Sequence, residues 1–272
     1  MESGKINFDT CVYITDSSAL KDYDLYNKYY YAVPTQYRRA LDNLRRSLRK
    51  RRALAAIFLF KKGLTDLGVR SDDLKIEFDN NKQYVTNMDD LNFQVSYSGD
   101  VVICAFASSP VGCDVEQVKV ADQRTMEDRL GAFRFDMIKR EGNQDARQHL
   151  FFKMLALDES LRRIIKMNDL EMPSDIGHYD AGNGVHIIKD NDTGNAFYCK
   201  EYEKEYEKKY GNADYQIACC TTSQSFENEC RIIDLNETEN FTFRYHGVEQ
   251  LFHGDEKIIE KVLENSIDFG VF

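Results

Sequence analysis

The sequence contains no tryptophan, only three prolines and no long hydrophobic run. Its longest uncharged and mostly apolar stretch, residues 101–113, is too short to span a bilayer as a helix. The first ten residues contain neither a basic segment nor an apolar stretch, so we expect no signal peptide. These absences predict a cytoplasmic protein that has no membrane partner.

Several common site patterns are missing as well. The seven cysteines include no C-x-x-C pair, and the five histidines form no H-x-x-x-H or H-E-x-x-H pattern. We therefore interpret the cysteines as free thiols in a reducing compartment rather than as disulfides or zinc ligands. The G-x-S-x-G and Walker motifs are absent too. The net charge of −10 argues against a nucleic-acid partner.

The residues that are present predict a mixture of helices and strands. Hydrophobic residues make up 42% of the chain, which is enough for a core. The spacing of these residues predicts long helices within 36–67 and 123–166, a hairpin at 93–107 and a further strand at 111–118. A basic helical stretch, a long apolar helix and strands (36–107) are followed by a helix, a long helix and strands (123–222), which suggests an internal duplication.

Two carboxylates, Asp114 and Glu116, interrupt this apolar region. Residues i and i+2 of a strand point to the same side, so the two acids share one face and repel each other. A nearby basic side chain or a divalent cation such as Mg²⁺, which prefers oxygen ligands, would offset the repulsion. The alternative is an exposed edge strand whose two acids are simply solvated.

The motifs around these acids resemble the 4′-phosphopantetheinyl transferases, in particular the two-lobed type that activates nonribosomal peptide and polyketide synthetases. The order S-Y-S-G-D, V-G-C-D-V-E and a helix ending in L-D-E-S-L-R-R follows the family pattern over about residues 10–235. The family's G-x-D-x-E element is matched at Gly112, Asp114 and Glu116. Glu159 matches the acid of the helical motif, and Arg163 stands in place of its last lysine.

The resemblance implies transfer of 4′-phosphopantetheine from coenzyme A to a serine of an apo acyl or peptidyl carrier protein, in secondary metabolism, by a monomer. Mg²⁺ would be held by Asp114, Glu116 and Glu159, and Glu159 would be the third ligand or the general base. Coenzyme A would contact a second set of residues: Arg52, Lys82, Tyr97, Ser98 and Arg163.

The resemblance also implies an α+β fold of two similar lobes related by a pseudo-two-fold axis. Each lobe would be a small, mostly antiparallel sheet packed on a long helix. We expect an N-terminal lobe at 1–109, a C-terminal lobe with the metal site at 110–235, and an extension at 236–272.

Four positions depart from the family pattern. Tyr97 replaces a histidine, Leu155 replaces a tryptophan, and Lys82 alone survives from a G-K-P segment. Asp158 replaces a lysine next to Glu159, which reverses a charge close to the expected phosphates; either this weakens coenzyme binding, or Arg162, one turn further along the helix, neutralises the acid.

These departures leave two other hypotheses open. One is a non-catalytic relative that binds coenzyme A, a nucleotide or a carrier protein without transfer. The other is an interaction protein that uses the basic run at 45–52 and has an unrelated acidic site. If the protein is a transferase, the basic run would bind coenzyme phosphates or an acidic helix of the carrier protein. The simplest alternative is that the run is a solvated helix face without a binding role.

Overall fold

The structure is a computed structural model, and it describes residues 8–33, 35–69, 76–78, 84–86, 88–167, 176–202 and 214–237. It is an α+β fold with two mainly antiparallel sheets, each covered by a long helix, as predicted. The pseudo-two-fold relation and the division at residues 109 and 235 stay predictions. Lys82 and the extension from residue 238 onward lie outside the described residues.

Eleven strands lie within the described ranges. The first six are β1 (Cys11–Asp16), β2 (Ile76–Phe78), β3 (Tyr84–Thr86), β4 (Asn92–Ser98), β5 (Val101–Ala107) and β6 (Val111–Gln117). The other five are β7 (Ile176–Gly182), β8 (Val185–Asp190), β9 (Ala196–Glu201), β10 (Tyr215–Thr221) and β11 (Arg231–Ile232). The strand order is β11-β1-β5-β4 in the first sheet and β6-β10-β9-β8-β7 in the second, with β2-β3 as a separate pair.

The described α-helices are α1 (Tyr23–Ala32), α2 (Thr35–Asn43), α3 (Ser47–Asp66), α4 (Gln123–Lys139) and α5 (Gln144–Met167), and a 3-10 helix covers Ser17–Lys21. The helix predicted over 36–67 is therefore two helices, α2 and α3. Polar side chains cap several helix starts: Asp122 accepts a hydrogen bond from the backbone N–H of Thr125, and Asn143 accepts one from Ala146. These caps fix where α4 and α5 begin.

The two sheets and the two long helices form four layers. One core lies between α3 and the first sheet, where Leu54 and Leu59 meet Phe106. A second core lies between the two sheets, and a third lies between α5 and the second sheet. All seven residues of β5 are buried, which explains why its sequence is an uninterrupted apolar run rather than an alternating one.

The candidate site lies where an edge strand of each sheet meets the other. β4 ends the first sheet and β6 begins the second, and their side chains contact each other. The Cys113 thiol donates to the carbonyl oxygen of Gln94 at 3.3 Å, and the backbone N–H of Gln117 donates to Ser98 Oγ at 3.1 Å. The acids of β6 therefore face the polar side chains of β4.

One expectation about the cysteines is wrong. Cys199 of β9 and Cys220 of β10 form a disulfide, because they are direct cross-strand partners whose Cα atoms lie 4.1 Å apart. Sequence spacing could not reveal this pairing, since it depends on the register of two strands. The other five cysteines form no disulfide within the described ranges, and four of them are buried as expected: Cys11, Cys104, Cys113 and Cys219.

The second half of the chain also contributes to the first sheet. β11 lies parallel to β1, with Ile232 opposite Ile14, and Leu235 joins the core beneath α3. The Tyr29 hydroxyl donates to the carbonyl oxygen of Leu235 at 2.7 Å. None of the helices in the described ranges combines the length and apolarity that a membrane crossing needs.

Candidate active site at the junction of the two sheets

Asp114 is the most buried acid of the site, with 4% of its surface exposed. Its Oδ1 accepts hydrogen bonds from Ser96 Oγ at 2.7 Å and from Arg163 Nη2 at 2.8 Å. Its Oδ2 is buried and has no hydrogen-bond partner among the described residues. Burial raises the pKa of Asp114, Arg163 and Ser96 oppose that rise, and the charge of Glu159 adds to it.

Glu116 lies two residues along β6, on the same side as Asp114, as the strand alternation predicted. Its Oε2 is 3.4 Å from Ser98 Oγ, which is a long hydrogen bond. Burial and the charge of Asp114 raise the pKa of Glu116. The pKa values of both acids are raised, so the positive charges around these two neighbouring carboxylates do not fully compensate for their burial.

Glu159 projects from α5 and has its own cationic partner. Arg129 of α4 donates from Nη2 to Glu159 Oε1 at 3.1 Å. The effect of Glu159 on the pKa of Asp114 shows that the two acids are within electrostatic reach. Nevertheless, no group of three His, Cys, Asp or Glu side chains within the described ranges is arranged to hold a metal ion.

Arg163, which was predicted to contact coenzyme A, joins α5 to both edge strands. Its Nη1 donates to the carbonyl oxygens of Val95 at 3.2 Å and Cys113 at 2.7 Å. Its Nη2 donates to Asp114 and, at 3.3 Å, to Ser96 Oγ. The guanidinium therefore positions Asp114 and ties β4, β6 and α5 together.

Asp158 is neutralised, but by a residue other than the one expected. It forms an ion pair with Arg134 of α4, with the two side chains 15% and 26% exposed. Arg162 is exposed. The expectation of an Asp158–Arg162 pair rested on helical spacing alone and ignored α4, which packs beside α5 and brings Arg134 to the acid.

The residues expected to bind coenzyme A in the first lobe gather around the β4–β5 turn. Arg52 of α3 donates from Nε to the carbonyl oxygen of Gly99 at 2.6 Å, and its guanidinium lies 4.6 Å from the centre of the Tyr97 ring. Arg51 pairs with Asp100 at 3.2 Å. The turn needs glycine, since Gly99 has φ +56 and an added Cβ would meet Tyr215 and Gln117.

The donor set at β6 suits a hard divalent cation. Asp114 and Glu116 offer two carboxylates, the number that Mg²⁺ often takes from a protein alongside water and phosphate oxygens. The unpartnered Oδ2 of Asp114 supplies a buried acceptor that a cation would satisfy. These two residues fit such an ion, and Glu159 would complete the set after leaving Arg129.

Three residues to which the sequence assigned no role shape the site: Ser96, Arg129 and Arg134. Ser96 could have been found, because it lies two residues before Ser98 on β4 and so shares its face. Arg129 and Arg134 contact acids that lie 30 and 24 residues further along the chain. Only the packing of α4 on α5 reveals those contacts.

Comparison with known proteins gives one relationship. The chain is 24% identical over 163 residues to the 4′-phosphopantetheinyl transferase Sfp of Bacillus subtilis (strain 168). This alignment covers 57% of the chain and 66% of Sfp. The aligned region thus spans slightly less than two thirds of the relative's length. No family model matches the chain. The likeness supports a distant relationship to the phosphopantetheinyl transferase superfamily.

Proposed function

We propose that the protein transfers the 4′-phosphopantetheine group from coenzyme A to a serine hydroxyl of an apo carrier protein, with Mg²⁺ as the metal. One observation carries the proposal: Asp114 and Glu116 lie side by side on β6 where it meets β4, and Asp114 Oδ2 has no hydrogen-bond partner within the described ranges. The similarity to Sfp agrees with a transferase of this kind. The cytoplasmic location and the secondary-metabolic role belong to the same proposal.

In the proposed reaction, the serine oxygen forms a bond to the β-phosphorus of coenzyme A. The phosphoanhydride bond breaks, and its bridging oxygen leaves with 3′,5′-adenosine bisphosphate. Glu159, freed from Arg129, accepts the serine proton. A bound Mg²⁺ would supply charge neutralisation for the diphosphate oxygens. Arg163 holds Asp114 in place through its contacts with β4 and β6.

The turn around Gly99 is proposed to bind the coenzyme. Arg52 and the Tyr97 ring form one stacked surface, and Ser98 borders Glu116. Tyr97 brings no formal charge where the family has a histidine, so Arg52 is the principal cation that this turn offers to a phosphate. Lys82 is proposed as a further coenzyme contact because it matches the lysine of the family's G-K-P segment.

The test is a transfer assay that detects the added mass on an apo carrier protein. The protein, coenzyme A and Mg²⁺ are incubated with several apo carriers, beside Glu116→Gln and the exposed control Glu127→Gln. We expect modification with the wild type and the control, and loss of at least 100-fold with Glu116→Gln. Equal rates in all three proteins would overturn the assignment of the acidic pair.

A second candidate is a non-catalytic relative that binds coenzyme A or a carrier protein. The specific observation in its favour is that Asp114, Asp158 and Glu159 each pair with an arginine. It predicts that coenzyme A binds, as measured by calorimetry, while no apo carrier gains mass under any metal condition.

A further inference from the structure

We propose that Arg129 is an internal counter-ion of Glu159 in the acidic site and a positioning residue that controls how tightly the site binds a divalent cation. This inference rests on the proposed metal-dependent function and goes beyond it. It assigns a role to a side chain of α4 that matches no motif of the sequence.

Arg129 makes a direct, partly buried ion pair with one acid of the site. Its guanidinium donates to Glu159 Oε1 at 3.1 Å, with 35% of the Arg129 side chain and 19% of the Glu159 side chain exposed. The guanidinium thus ties α4 to the acid that α5 brings to the site.

A cation held by Asp114 and Glu116 would compete with Arg129 in two ways. It would be repelled by the guanidinium, and it would lack Glu159 as a ligand for as long as Arg129 kept that carboxylate. The pairing also accounts for why the three acids do not form a ready-made metal group among the described residues. Exchange of Arg129 for the cation is therefore the step that completes the site.

The backbone of α4 is broken shortly after Arg129. Gly131 has φ 79 and ψ 161, which interrupts the helical conformation two residues after Arg129. The short segment that carries Arg129 is thereby separated from the rest of α4. Arg134 lies beyond this break and pairs with Asp158 instead of with the proposed ligands, so it provides a matched control on the same helix.

The experiment is a calorimetric titration of Mn²⁺ into the metal-free full chain, without coenzyme or carrier. The variants are Arg129→Gln, Arg129→Lys, Arg134→Gln and Glu116→Gln. Removing the charge of Arg129 should tighten Mn²⁺ binding on the order of tenfold, because repulsion ends and Glu159 becomes available. Arg129→Lys should stay close to wild type, and Arg134→Gln should change the affinity less than twofold.

The outcomes separate this inference from the proposed function. If Glu116→Gln abolishes Mn²⁺ binding while Arg129→Gln binds no more tightly than wild type, the role of Arg129 is wrong and the metal site stands. If no protein binds Mn²⁺, or if Glu116→Gln binds as wild type does, both proposals fail. Thermal unfolding without metal shows whether Arg129→Gln is folded. If it is not, Arg129→Lys, which keeps the positive charge, decides the question. A tenfold tighter affinity of Arg129→Lys for Mn²⁺ would overturn the counter-ion role, and an affinity equal to that of the wild type supports it.

Discussion

Gly112 of β6 lies directly beneath the carbonyl oxygen of Ser160 in α5, so close that a side-chain Cβ at residue 112 would overlap that oxygen. The same Cβ would lie 3.0 Å from the backbone N–H nitrogen of Ile164. Both obstacles are backbone atoms, which cannot rotate aside. Glycine at this position therefore lets the helix that carries Glu159 approach the strand that carries Asp114.

Gly112→Ala should separate α5 from β6 and destabilise the protein by about 2 kcal/mol or more, as overpacking does. Urea unfolding measures the change in the free energy of unfolding. Gly142→Ala is the control, since a Cβ there meets no atom within 4 Å. A Gly112→Ala variant as stable as wild type would contradict this close packing.

Arg163 should be more important for stability than for coenzyme affinity. Arg163→Met leaves Asp114 buried without a positive partner and should cost about 3–5 kcal/mol of unfolding free energy. The neighbouring exposed Arg162→Met should change it by less than about 0.5 kcal/mol. Urea titrations would compare the two variants. Unchanged stability together with weaker coenzyme A binding would instead support the direct contact that the sequence motif implied.

The ion pair between Arg134 and Asp158 should have a measurable coupling energy. A double-mutant cycle of Arg134→Gln and Asp158→Asn, followed by urea unfolding, should give about 1 kcal/mol, because both side chains are partly buried. Asp158→Lys should be destabilising, since it places a second positive charge against Arg134. Additive effects of the two single substitutions would show that the pair is not formed in solution.

His149 should make the stability of the protein depend on pH near neutrality. Its ring bonds the carbonyl oxygen of Asp145 and the carboxylate of Asp214, each at 2.9 Å. The hydrogen bond to the Asp145 carbonyl, and then Asp214, raise the pKa of His149 above its usual 6.5. The protonated ring therefore stabilises the fold fully below about pH 6.5, and this contribution is lost as the pH rises through the higher folded-state pKa.

The measurement is the urea midpoint from pH 5.5 to 8.5 for the wild type and His149→Gln. We expect the midpoint difference between the two proteins to shrink as the pH rises through that window. A constant difference would mean that the proton on His149 does not contribute to stability.

The sequence predicted those features that depend on residues close together in the chain. The hairpin of β4 and β5 follows from its turn and its apolar pattern, and the shared face of Asp114 and Glu116 follows from strand alternation. The pairings of Arg129 and Arg134, and the cross-strand disulfide of Cys199, depend on how separate elements pack. Several registers and helix placements are compatible with the same local pattern, so only the three-dimensional structure selects among them.

Because β11 pairs with β1, the chain cannot be cut between its two sheets without separating strands that belong to the same sheet. A cut between β5 and β6 gives an N-terminal fragment that lacks its parallel edge strand, while Leu235 and its carbonyl, which receives the Tyr29 hydroxyl, remain on the other fragment. Neither half is self-sufficient in these contacts. The two pieces would have to recover them by non-covalent complementation, which makes this loop a natural place to split the protein into reassembling halves.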